Sequence, residues 1–199
     1  ACAPYRRLSL CNKNLEHIEP KKITTHNLLV DVCLAANYEA QSLIRDHPKY
    51  QAKYPDSNSQ ICTELARSFA DIGDIVRGKD LYLGKKKNQT EREKLEKNLQ
   101  NIFAKIYSSL QDKNKETHYG GDAPYYYQLR EDWWDANRQD IWKAITCDAD
   151  GSYFRATCSD SHRNGTFSQA TKQCRCNDNQ VPTYFDYVPQ FLRWFEEWA

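Results

Sequence analysis

Glycine is scarce, seven in 199 residues, while aromatic residues make up 13% of the chain. That balance leaves little for a glycine-rich phosphate loop and favours helices packed through large rings. A surplus of positive charge is also missing: the formal net charge is +1 and the pI is near 7.7. A dedicated nucleic-acid binder needs such a surplus to displace counterions, so nucleic acid is excluded as the main partner. No apolar run approaches the roughly 20 residues that cross a bilayer, and Ala1 opens no charged-then-apolar leader. Any membrane anchor or targeting signal is expected outside this sequence. Internal repeats, strand-type alternation and low-complexity tracts are absent too.

Catalytic signatures are equally lacking. His17, His26, His47, His118 and His162 have no metalloprotease spacing, and no serine sits in a nucleophile elbow. Asp71, Asp74 and Asp80 fall at helical spacing and read as a solvated face or helix-end positions. With no convergent acid, base and nucleophile, neither an enzyme nor a cofactor is expected.

What the chain does have is cysteine. Cys2, Cys11, Cys33, Cys62, Cys147, Cys158, Cys174 and Cys176 are scattered in a way that suits bridges formed in an oxidising, exported setting. A competing arrangement is zinc held by Cys158, His162, Cys174 and Cys176, a Cys3His set in a loop-rich stretch. The tight Cys-Arg-Cys spacing argues against it.

Apolar periodicity predicts four helices. The first covers Thr25 to Arg45, with His47-Pro48 ending it. The second carries Ile61, Leu65, Phe69, Ile72 and Val76 and stops at Gly78. A capping box at Thr90 and Glu93 opens the third, with a stripe of Leu95, Leu99, Ile102, Phe103, Ile106 and Leu110. Asp122 caps the fourth, with Pro124 in its first turn and Tyr126, Leu129, Trp133, Ile141 and Ile145 toward the core. Residues 147–182 are loop chemistry of unusual length that disulfides must order. The sum is an all-α, disulfide-stabilised helical bundle with long irregular loops and one cross-linked excursion. From Pro189 an amphipathic run begins a further helix with no stop signal, so the chain is expected to be part of a larger extracellular module.

Binding chemistry is concentrated in the loops. The first 100 residues hold 17 Lys and Arg against 13 Asp and Glu, and the rest 11 against 14, so the first half is the anion-facing side. Lys85, Lys86 and Lys87, with Arg92 and Lys94, are candidates for binding a sulfated glycan; the bland alternative is a solvated charged loop. Arg6 and Arg7 read as structural, paired with carboxylates of the bundle. Of Tyr125-Tyr126-Tyr127 and Trp133-Trp134, one member each must face inward, leaving Tyr125 and Trp134 as protein-contact candidates. Asn88 and Asn164 head glycosylation sequons and mark exposed loops.

Four blocks then carry a family resemblance: Cys2-Ala3-Pro4-Tyr5-Arg6-Arg7 with Cys11; Phe69 to Gly78; Trp133-Trp134-Asp135-Ala136-Asn137-Arg138; and Tyr184-Phe185-Asp186-Tyr187-Val188-Pro189 running on to Trp198. In order and spacing they resemble a Duffy-binding-like domain of the alpha type that opens the Plasmodium falciparum erythrocyte membrane protein 1 adhesins. The resemblance implies three parts: residues 1–24 ending an irregular first lobe, 25–187 a helical bundle lobe, and 188–199 starting a helix that leads to a third lobe. It implies the pairs Cys33 with Cys147, Cys62 with Cys176 and Cys158 with Cys174, with Cys2 and Cys11 unpaired or joined to each other. It also implies a host-cell adhesion module on the infected erythrocyte, meeting a host receptor or a heparan-sulfate-like glycan, antibodies and adjoining adhesin domains. The alternative is a structural, antibody-facing scaffold whose neighbouring module binds the receptor.

Overall fold

The structure is a computed structural model of the 199-residue chain, and it describes residues 2–23, 25–53, 60–82, 84, 89–111, 115–153, 155–159, 167–177 and 180–198. Helices dominate it. Two one-turn helices, α1 (Tyr5–Leu8) and α2 (Lys13–Glu16), precede α3 (Thr25–Lys53), α4 (Ile61–Arg77), α5 (Gln89–Ser109), the short α6 (Lys115–Tyr119) and α7 (Tyr127–Ile145). Two strands, β1 (Ala156–Ser159) and β2 (Phe167–Gln169), pair antiparallel, and a single 3-10 turn at Phe185–Tyr187 leads into α8 (Gln190–Trp198).

Helix α4 is the axis of the molecule, with α3, α7, α8 and the 3-10 turn all packed against it. Leu65, Phe69, Ile72 and Val76 are fully buried, as their periodicity predicts. It ends where Gly78 takes φ +73 and donates its amide to the carbonyls of Asp74 and Ile75, a left-handed stop that a glycine adopts without Cβ strain. Gly73 serves a different need. A Cβ there would lie 2.7 Å from the Trp134 ring, so its hydrogen lets α7 approach. Phe69 then packs between Trp134 and Trp142, with ring centroids 5.0 and 5.2 Å away.

Several boundaries differ from the sequence reading. Helix α3 continues through Pro48 to Lys53, because Pro48 lies on an exposed stretch where the missing N–H bond strands no buried carbonyl. Asp122 does cap the helix that follows, its carboxylate accepting the amides of Gln128 and Leu129 at 3.0 and 2.9 Å. The helix nevertheless starts only at Tyr127, since Tyr126 sits at φ 56, outside helical geometry. The excursion holds a small sheet that no alternation announced; β2 is exposed along its whole length, so burial imposes no period on it.

The disulfides also rearrange. Cys62 pairs with Cys174 and Cys158 with Cys176, at Cα separations of 5.5 and 5.4 Å. The reason lies in Arg175 between them: its guanidinium bonds the Thr146 hydroxyl at 2.8 Å and the Lys143 carbonyl at 2.7 Å at the end of α7. That anchor, with the Cys174 amide on the Gly151 carbonyl, turns Cys174 toward α4 and leaves Cys176 for β1. Cys33 and Cys147 are unpaired. Cys33 feels the charge of Asp140 on α7, about two turns before Cys147. Burial, aided by Asp140, pushes its thiol up to about 11. Cys2 and Cys11 are unpaired as well. The zinc arrangement falls, because three of its four ligands are oxidised in disulfides; His162 lies outside the described residues.

Helix α8 packs on the bundle mainly through polar side chains. Its apolar side chains Phe191, Leu192, Phe195 and Trp198 are exposed, while Gln190, Arg193 and Trp194 face the bundle. Trp198 still reaches the start of the chain, donating its indole N–H to the Cys2 carbonyl at 2.9 Å.

Candidate adhesion surface

Buried charge fixes the frame on which the surface sits. Asp71, Asp74 and Asp80, read from sequence as a solvated face, are instead buried. Arg193 of α8 bonds Asp71 at 2.8 Å and Asp74 at 2.5 Å, while Arg6 of α1 meets Asp71 from the other side at 2.8 Å. Burial pushes Asp71 up, but the two guanidiniums more than offset it and hold the carboxyl below its ordinary value. Arg6 also grips Glu197 through two nitrogens, at 3.1 and 2.8 Å. The sequence expectation that Arg6 and Arg7 pair with carboxylates therefore holds, Arg7 taking Asp80. A second knot forms at Asp186, which accepts from Trp134 Nε1 at 2.9 Å and from Arg138 twice at 2.8 Å.

These networks decide which candidate residues are free. Trp134 is fully buried and bonded to Asp186, so it is not a contact residue. Helical phase explains why: α7 shows its inward side to α4 at 134, opposite Gly73, and Trp133 is buried on α5 beside Phe103. Arg92 is half-buried and held by the carboxylate and carbonyl of Asp80. It lines a cleft of about 240 Å³ with Arg7, Lys13, Glu16 and Tyr82. Lys94 is exposed. Lys85, Lys86, Lys87, Asn88 and Asn164 lie outside the described residues.

Tyr125 stands at the surface, 49% exposed, and stacks on Tyr127, 46% exposed, with centroids 5.4 Å apart and planes 11° from parallel. Tyr126 is the inward member of the trio, packing on Tyr107 at 5.8 Å. Its own backbone is left-handed, at φ 56, between the two stacked rings. Two further exposed rings, Tyr184 and Tyr187, lie near the middle of the same helix, against Arg138 at 5.7 and 5.1 Å. Sequence reading missed Tyr127, Tyr184 and Tyr187; the signal for Tyr127 was its two-residue spacing from Tyr125 around an inward Tyr126.

The model of the Duffy binding domain matches residues 1–193. The chain belongs to the Duffy binding domain family. Among solved structures, the NTS-DBL1(alpha-1) domain of the Plasmodium falciparum membrane protein 1 (PfEMP1) from the varO strain is 47% identical, with a TM-score of 0.80 over 100% of this chain and 43% of that one. A PfEMP1 DBLbeta domain bound to ICAM-1 is 33% identical, with a TM-score of 0.67 over 100% of this chain and 44% of that one. Among curated proteins, the Duffy receptor gamma form of Plasmodium knowlesi is 23% identical over 206 residues, covering 100% of this chain and 15% of the receptor. The chain thus spans less than half the length of each of these relatives. Its mostly helical, disulfide-linked architecture is that of the PfEMP1 Duffy-binding-like domains. Among the described residues of this Duffy binding domain, no helix is long and apolar enough to cross a membrane.

Proposed function

We propose that this Duffy binding domain is a host-cell adhesion module of a parasite variant surface antigen, displayed on the infected erythrocyte. It binds a red-cell or endothelial receptor, or a sulfated glycan, through exposed side chains on a charge-locked core. The observation that carries this reading is the Tyr125–Tyr127 stack. Two large rings stay nearly half exposed beside a core that buries Trp133, Trp134 and Trp142, and tyrosine of this kind anchors protein interfaces. The ICAM-1 complex of a related domain supports receptor binding by the same scaffold. Lys85, Lys86, Lys87 and Lys94 are the proposed glycan-facing charge, and Arg92 is tethered by Asp80. Binding to human erythrocytes, endothelial cells and immobilised heparin, at rising salt, tests the reading. Retention that survives charge reversal of Lys85, Lys86 and Lys87 removes the glycan arm, and no cell binding at all removes the module's adhesive role.

A specific observation favours the scaffold alternative as a second reading. The exposed apolar face of α8, Phe191, Leu192, Phe195 and Trp198, suits packing against adjoining polypeptide more than a host receptor. Antibody binding would then fall on the loops while a neighbouring module holds the receptor. Cell binding measured with and without the adjoining module separates the two, because activity that appears only with the neighbour supports the scaffold.

A further inference from the structure

We propose that one face of α7, from the Tyr125–Tyr127 stack past Asp132 and Asp135 to Tyr184 and Tyr187, docks an arginine-bearing helix of a partner protein. This deepens the adhesion reading by naming the surface and the chemistry of the partner. Four exposed tyrosines flank the face: Tyr125 and Tyr127 at its start, and Tyr184 and Tyr187, rings 6.4 Å apart, at its far end. At 100° per residue, Tyr127, Gln128, Glu131, Asp132 and Asp135 fall within about 140° of arc, and Tyr127 to Asp135 spans about 12 Å along the axis. The strip is therefore two turns long, the length of a short helical ligand.

Its charge selects the ligand. Asp71, Asp74, Asp80 and Asp186 meet guanidiniums, but Asp132 and Asp135 are held mainly by neutral donors. Asp132 accepts from the Tyr119 hydroxyl at 2.8 Å and the Gln128 amide at 3.1 Å, with the His118 ring at 3.4 Å. Asp135 accepts from the Tyr187 hydroxyl at 2.6 Å. Lys79 and Arg77 answer Glu131, and Arg138, the cation under Tyr187, is committed to Asp186. Among the described residues Asp132 thus meets no guanidinium, and Asp135 has only a share of Arg138, which Asp186 holds, so both carboxylates remain under-compensated between two pairs of ring faces.

A guanidinium satisfies both elements at once, lying flat on a tyrosine ring and bonding a carboxylate with paired N–H groups. An ammonium is a compact, strongly hydrated point charge and makes poorer use of the rings. Two arginines one turn apart on a partner helix would be about 5–6 Å apart, matching carboxylates three residues apart on α7. Neither the Tyr125 nor the Tyr127 hydroxyl bonds a described residue.

The test uses the whole chain, with its disulfides formed, and three synthetic helical peptides identical except at two positions one turn apart: arginine, lysine or glutamate. Titration is followed by tryptophan and tyrosine fluorescence and by NMR shifts. Saturable binding of the arginine peptide is expected, at least tenfold weaker for Tyr125→Ser/Tyr127→Ser and several-fold weaker for Asp135→Asn, which keeps an acceptor for Tyr187. Circular dichroism melts of both variants confirm that they fold. No saturable binding, binding unchanged in the tyrosine variant, or equal binding of the lysine peptide overturns the inference. Erythrocyte binding by the same variants separates it from the broader reading: adhesion that depends on Lys85, Lys86 and Lys87 but not on Tyr125 and Tyr127 sinks this surface and leaves the adhesive role standing.

Discussion

Arg130 of α7 grips Glu96 of α5 with both terminal nitrogens, at 2.7 and 2.9 Å, while its Nε donates to the Val76 carbonyl at the end of α4 at 2.6 Å. One fully buried side chain thereby ties three helices and closes an orphan carbonyl of the central one. The position is tight as well: a Cβ on Gly78 would lie 2.8 Å from an Arg130 nitrogen. Replacing Arg130 by methionine keeps much of the volume but leaves Glu96 and the α4 carbonyls without their donor. The carboxylate left behind is about a third exposed, so a loss of about 2–3 kcal/mol is expected, the cost of losing hydrogen bonds to a charged group. Urea unfolding of the two proteins measures it, and a loss below about 1 kcal/mol would show that the pair is not a keystone.

Acid should loosen the same ties. Arg130 holds Glu96 below its ordinary value against the opposing effect of burial, and Arg6 with Arg193 does so for Asp71. A carboxyl depressed in the folded state contributes stability that is complete above its unfolded value, near 4 for both types, and disappears as pH falls through the lower folded value. Stability is therefore expected to be level with respect to these two groups at neutral pH and to drop steeply below about pH 4. In the Arg130→Met variant, the Glu96 share of that acid dependence vanishes. Thermal melts from pH 7 to pH 3 check both the slope and its loss.

The helices were legible because burial writes a period into them. Leu95, Leu99, Ile102, Phe103 and Ile106 are all buried where the stripe on α5 puts them, and the Gly78 stop of α4 follows from backbone chemistry alone. The buried charge was not legible. Asp71, Asp74 and Arg193 look like any solvated helix face until distant elements meet, since the partners lie more than 110 residues apart. The same long-range pairing sets the facing of α8, whose arginine rather than its phenylalanines faces the core. The choice between Cys174 and Cys176 was invisible for a related reason: it depends on where Arg175 anchors, 29 residues from Thr146. Trp134 was misassigned because two adjacent tryptophans offer no periodicity, and the Gly73 notch that receives one of them lies on another helix.

That notch yields a prediction in which two effects oppose each other. Alanine at position 73 would gain roughly 1 kcal/mol of helix propensity over glycine. Its Cβ would also sit 2.7 and 2.9 Å from two indole carbons of Trp134, a buried ring that Phe69 and Asp186 hold in place. Overpacking of this kind costs typically 1–3 kcal/mol, and a ring so constrained belongs to the upper part of that range. Gly73→Ala is expected to be destabilising by about 1–2 kcal/mol, with a shifted tryptophan emission. An unchanged or raised melting temperature would mean that α7 can retreat from α4 without cost.

The two disulfides should contribute unequally. Cys62–Cys174 closes a separation of 112 residues and Cys158–Cys176 one of 18. In the chain-entropy account, a loop of the first length stabilises by about 4.7 kcal/mol and one of the second by about 3 kcal/mol. The longer bridge also ties α4 to the excursion, whereas the shorter one joins β1 to a nearby turn within it. Replacing Cys62 and Cys174 by serine is therefore expected to lower the urea midpoint more than replacing Cys158 and Cys176. The paired replacements leave Cys33 and Cys147 as they are. Peptide mapping without reductant should recover Cys62 linked to Cys174 and Cys158 linked to Cys176, with Cys33 and Cys147 alkylated as free thiols. Recovery of Cys33 linked to Cys147 would contradict the unpaired state of these two thiols.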